Sequence, residues 1–164
     1  MGERTTTAGG AGAAAFAVAA SVGIVHGMFS LYWALGGTWL LATVGSRMVE
    51  QFADARGALA LVGIVKLVAA VAPLVLALRG WPVRRPARAV CWTGAAVLVV
   101  WGGAGAVAAQ LVLAGAVAPD GGVDRAGMIG HAWIWDPMFV LWGVALAVGL
   151  TRTRRRRTNP GARR

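Results

Sequence analysis

His26, Tyr32, Lys66, Gln110 and Asp136 are the residues whose types and positions could do chemistry in this chain. Each lies in or beside a long apolar run, where an ionisable group is costly and needs a partner or a task. A histidine exchanges a proton near neutral pH. An ammonium and a carboxylate neutralise each other, and an amide or a phenol can orient a bound group. An unpaired charge in lipid costs at least about 2.5 to 3.5 kcal/mol, so Lys66 and Asp136 are expected to pair.

Depth brings these five residues together. His26 lies nine positions before the end of its run at Leu35, and Lys66 lies nine positions after the start of its own at Gly57. At 1.5 Å per residue both come roughly 13 Å from the same end. Gln110, five positions before Gly115, is roughly 8 Å from that end. Asp136 enters from the same side, and Tyr32 stands above His26. One reading is a polar pocket that takes a small molecule or a proton. A second is a buried network that only fixes helix register. A third lets Lys66 stretch outward to the headgroups. Haem between His26 and His131 is an alternative that requires the two rings to face each other at one depth, although His131, with Trp133 and Trp135, reads as interfacial. No other cofactor, no metal set and no catalytic constellation is visible. Cys91 is the only cysteine, which excludes an internal disulfide.

The elements that must position these residues follow from composition. Hydrophobic residues make up 58% of the 164, charged residues 13%, and the mean hydropathy is +0.67. A soluble domain of this size needs more polar surface, so the excess apolar surface must face lipid. Four runs, at about 13–35, 57–78, 89–115 and 131–150, each supply the roughly 20 residues that a spanning helix requires. The expected fold is an all-α, antiparallel four-helix transmembrane bundle, with a disordered segment over 1–12 and an arginine-rich tail over 151–164.

The net charge of +10 is segregated. Arg79, Arg84, Arg85 and Arg88 fall in the second connection, and Arg152, Arg154, Arg155, Arg156, Arg157, Arg163 and Arg164 fall in the tail. Such clusters beside apolar runs stay in the cytoplasm. An even number of spans then puts both ends there, in a bacterial cytoplasmic membrane. The tail is expected to touch anionic lipid headgroups rather than nucleic acid.

Leu41, Val44, Met48 and Phe52 recur at helical spacing in the first connection, which predicts a short amphipathic helix on the outer surface. Gly36-Gly37 would give the sharp exit from the first span. Asp136-Pro137 allows either a span that starts at Pro137 or a longer helix kinked there. Gly23 with Gly27, Gly102 with Ala106, and Gly105 with Ala109 are small-residue steps for close helix contact. Trp33, Trp39, Trp133, Trp135, Trp81 and Trp92 are placed as an aromatic belt, whereas Trp101 and Trp142 lie deeper and are expected to pack between helices.

The stretches HGMFSLYWALGGTWLLATVG (26–45) and WIWDPMFVLWG (133–143) resemble an uncharacterised family of small four-helix bacterial membrane proteins, common in actinobacteria and defined only as a domain of unknown function. His26, Tyr32, Trp33, Gly36, Gly37, Asp136 and Pro137 carry the resemblance. It implies an architecture and no activity. Small multidrug exporters use an acid in the first span, and quinone reductases of the vitamin K type use paired cysteines. This chain has neither. The expectations for function are a pocket for a small lipid or apolar molecule, a scaffold or accessory subunit that holds no ligand but contacts itself or another membrane protein, or a proton-coupled transport or redox role.

Overall fold

The computed structural model describes residues 7–53, 55–81, 84–119 and 122–153. Four helices long and apolar enough to cross a membrane account for most of them: α1 (Thr7–Ala34), α3 (Arg56–Leu78), α4 (Arg84–Leu113) and a last helical stretch over Arg125–Arg152. That stretch is built from α5 (Arg125–Gly130), a π-helical turn (His131–Trp135) and α6 (Asp136–Arg152). Between α1 and α3 come a 3-10 turn (Leu41–Val44) and α2 (Ser46–Ala53). The chain is an all-α membrane protein.

α1 packs against both α3 and α6, and α6 packs against α4. The lateral order is therefore α3, α1, α6, α4, with α1 and α6 in the middle. Far more of those two is buried than of α3 and α4. Glycine makes the close approaches. A Cβ on Gly27 would stand 3.3 Å from the Gly63 carbonyl oxygen, and a Cβ on Gly143 would stand 2.8 Å from that of Ala95. Gly23, Gly102 and Gly105 likewise face neighbouring helices of the same chain. The small-residue steps are thus spent inside the bundle, where dispersion and backbone proximity replace the absent hydrophobic force.

At one end α1 begins beside the end of α6, for a Cβ on Gly12 would lie 3.6 Å from Arg152 Cβ. Arg88 closes this end. Its guanidinium donates to Thr153 Oγ1 at 3.1 Å and to the Leu150 carbonyl, and stacks over Trp81 at 5.0 Å. A cation on the last carbonyls of α6 suits the negative end of its dipole. Phe16, Trp81, Trp142, Leu146 and Leu150 form the core there.

Three features differ from the sequence reading. α1 starts at Thr7, inside the segment expected to be disordered: Gly9, Gly10 and Gly12 are poor helix formers, but they extend a long apolar helix, and Gly12 packs beside the end of α6; residues 1–6 lie outside the described residues. Arg84, Arg85 and Arg88 belong to the first turns of α4 rather than to a loop. The tail arginines beyond Arg152 lie outside the described residues. Trp101, expected between helices, is 71% exposed on α4.

Candidate functional site

The last helix sets the site, and Pro137 sets the last helix. A proline within a helix lacks an N–H and its ring collides with the carbonyl four residues back, here that of Trp133. The helix does not break. It widens into the π turn His131–Trp135 and continues as α6. Of the two sequence alternatives the longer helix is the one adopted, and Asp136 is buried within the bundle, at 4% exposure. Such π turns cluster at functional sites. Gly105 of α4 leaves the space that the Asp136 carboxylate occupies.

Asp136 does not pair with Lys66. Its Oδ2 lies 3.1 Å from His131 Nδ1, five residues earlier, which the widened turn brings within reach. The other ring nitrogen of His131, Nε2, donates to the Val44 carbonyl at 3.2 Å. Lys66 crosses instead to α1, where Nζ donates to Ser30 Oγ at 3.0 Å and meets His26 Nδ1 at 3.2 Å. His26 and Ser30 are four apart and so share one face of α1. The His26 ring stacks on Phe139 with centroids 4.2 Å apart and meets Trp135 edge-on at 5.8 Å. Held in this way, Lys66 does not reach out to the headgroups.

These two pairs line one cavity of about 450 Å³. Its floor is α1 and α6, its sides are α3 and α4, and the 3-10 turn and α2 cover it. Leu41, Val44, Met48 and Phe52, the periodic residues of the first connection, all line it. The cover is fastened at several points. Trp135 Nε1 donates to Thr43 Oγ1 at 3.0 Å and Trp33 Nε1 to the Trp39 carbonyl at 2.9 Å. Asp124 accepts from the Gly127 N–H at 3.0 Å, capping α5, and from the Ser46 N–H at the start of α2 at 2.6 Å. These two backbone donors, Gly127 first, hold the Asp124 carboxyl below its ordinary range. Gly36, at φ +94°, makes the reversal out of α1.

Of the sequence-derived residues, His26, Lys66 and Asp136 line the cavity, while Tyr32 and Gln110 do not. Tyr32 is 41% exposed, and its hydroxyl accepts from the Trp39 N–H at 3.3 Å. It braces the Gly36-Gly37 reversal. Gln110 is exposed on α4 and donates to the Ala132 carbonyl in the π turn at 3.5 Å. Depth alone could not separate these two from the rest, because it ignores rotation about the helix axis. Tyr32 is six residues from His26, which puts it about 120° around α1. Ser30 and Phe139 were missed, His131 was weighed only as a haem ligand or interfacial residue, and Trp101 only as a packing residue. Ser30 could have been found as the i+4 neighbour of His26. For haem, His131 uses both ring nitrogens within the chain. Of the four histidine ring nitrogens, His26 Nε2 alone is buried with no partner among the described residues.

Fold and site together define a helical membrane protein with a covered, mostly aromatic and aliphatic cavity whose ionisable lining is Arg56, Lys66, His26, His131 and Asp136. The chain belongs to the family described as "Protein of unknown function (DUF3995)", whose model matches residues 23–146. That range contains every residue of the cavity wall named above. Comparison with curated proteins and with solved structures returned no match.

Proposed function

We propose that this protein holds a small, mostly apolar molecule in the cavity between α3 and α4, with the molecule's polar group against Lys66 and His26. The observation that supports this most is the meeting of two unlike surfaces. Phe52, Leu59, Trp101, Trp135 and Phe139 make most of the wall apolar, and Lys66 with His26, and His131 with Asp136, interrupt it. The volume falls within the range of about 300 to 1,000 Å³ that such sites occupy. A charge without a counter-charge in the membrane costs at least about 2.5 to 3.5 kcal/mol, and a bound polar group would offset that cost. A network that served only helix register would have no use for the space beside it.

The arginine-bearing end orients the molecule in this reading. Arg79, Arg84, Arg85, Arg88 and the tail stay in the cytoplasm by the positive-inside rule, with the tail against anionic headgroups. Both ends of the chain are then cytoplasmic. The cavity belongs to the opposite half of a bacterial cytoplasmic membrane, with α2 along the outer surface. The scaffold reading loses its motive, since the glycine steps are spent within the chain.

The test is mass spectrometry of small molecules retained by the protein after purification in mild detergent, wild type against Leu59→Trp, which puts a bulkier ring into the cavity. One compound class near stoichiometric amount in the wild type, and lost from the variant, is expected. The same bulk phospholipid at the same level in both would defeat the reading.

A further inference from the structure

We infer that the molecule in the cavity carries a single carboxylate head on a long apolar chain, and that Lys66, held in place by Ser30 and His26, binds that head. This rests on the reading of the cavity as a binding site. The argument is one of proton and charge balance. An ammonium has three N–H donors and no lone pair. Lys66 spends one on Ser30 Oγ and a second on His26 Nδ1. Nδ1 must therefore accept, which puts the ring proton of His26 on Nε2. His26 is 5% exposed, and its Nε2 has no partner among the described residues. One donor remains for the cavity, the third N–H of Lys66, because the Nε2–H of His26 is buried away from it.

The other ionisable pair cannot balance the Lys66 charge. His131 Nε2 faces a carbonyl, which only accepts, so Nε2 carries a proton. The one remaining proton lies between His131 Nδ1 and Asp136 Oδ2. Whichever atom holds it, the pair is neutral overall. The ionisable side chains on the cavity wall are Arg56, Lys66, His26, His131 and Asp136. Asp136, the only acid among them, is already neutralised. Arg56, ten residues before Lys66 on α3, starts roughly 15 Å away along the helix axis, and its guanidinium lies beside Gly36 at the rim of the cavity. The interior thus presents the Lys66 ammonium without a counter-acid and with one N–H left over. A carboxylate supplies the negative charge and an acceptor for that N–H. A neutral alcohol or ester leaves the charge standing. Leu59, Trp101 and Phe139 offer the apolar wall for the chain.

The experiment measures binding of dibrominated stearic acid and of the matching dibrominated alcohol to the full-length protein in detergent. The readout is quenching of tryptophan emission, to which Trp101 and Trp135 on the wall contribute. Charge-assisted hydrogen bonds are roughly twice as strong as neutral ones, so the acid is expected to bind about tenfold tighter than the alcohol. Lys66→Met should remove that preference and leave alcohol binding in place, while Lys66→Arg should keep most of it. The wild-type comparison decides even if Lys66→Met fails to fold. Equal binding of acid and alcohol by the wild type overturns the carboxylate inference and leaves the cavity reading standing. Absence of saturable quenching by either, with Leu59→Trp no different, overturns both.

Discussion

His131 and Asp136 face each other across the π turn, Nδ1 to Oδ2 at 3.1 Å, and the pair fastens the cavity's cover because His131 also holds the Val44 carbonyl. The widened helix that Pro137 imposes is thus coupled to the position of the 3-10 turn above the cavity. Asp136→Asn keeps the shape and removes the charge. A lost charged hydrogen bond of this kind costs about 1.5 to 3 kcal/mol. Lower resistance to thermal unfolding in detergent is expected for Asp136→Asn and for His131→Phe. The double variant should lose less than the sum of the two, since contacting residues couple by about 0.5 to 3 kcal/mol. Full additivity would mean that the two side chains act independently.

Asp124 makes the cover sensitive to acid. The Gly127 and Ser46 amides stabilise its carboxylate, so its folded value lies below the unfolded one. The stability it contributes is therefore present above the ordinary carboxylate range and is lost as pH falls through the lowered value. A spin-label pair at positions 48 and 123 should show α2 well placed at neutral pH and dispersed only under strongly acidic conditions. Asp124→Asn should disperse it at neutral pH as well, with little further change on acidification. A wild-type distance distribution that stays the same throughout the acidic range would contradict the role given to Asp124.

Glycine positions divide into two kinds. Gly63 lies against Leu31 and the Gly27 carbonyl, whereas a Cβ on Gly103 would meet nothing within 4 Å. Overpacking a tight contact costs about 1 to 3 kcal/mol or more. Gly63→Leu should therefore lower the yield of folded monomer and its stability in denaturant titration. Gly103→Leu should stay within about 0.5 kcal/mol of the wild type. The reverse ranking would mean that α1 and α3 do not approach as described.

The architecture and the level of the site were legible in the sequence because hydropathy and arginine placement act over whole helices. The partners were not. Pairing Lys66 with Asp136 followed from charge alone, but His131 lies only five residues before Asp136 and a π turn closes that gap. Nothing local in the sequence distinguishes a proline that starts a helix from one that a widened turn absorbs. Trp101 looked like a packing residue because its depth was right. Its exposure comes from the lateral order of the helices, which sets α4 at the edge and is a property of the tertiary fold.

Topology can be tested with single cysteines in a Cys91→Ala background. Ala118→Cys lies in the connection between α4 and α5, and Arg79→Cys at the end of α3. A membrane-impermeant thiol reagent is expected to label position 118 in intact cells, and position 79 only after permeabilisation. The opposite pattern would invert the proposed orientation and put the cavity in the cytoplasmic half.

The claim that the cavity holds a particular molecule is tested most directly by a photo-crosslinking amino acid placed at Phe139, which lines it and is half-buried, and at Trp133, which is 67% exposed and does not. After irradiation in native membranes, the adduct at position 139 is expected to carry one discrete small-molecule mass, and the adduct at position 133 the mixed masses of bulk lipid. The same bulk-lipid distribution at both positions would contradict the account.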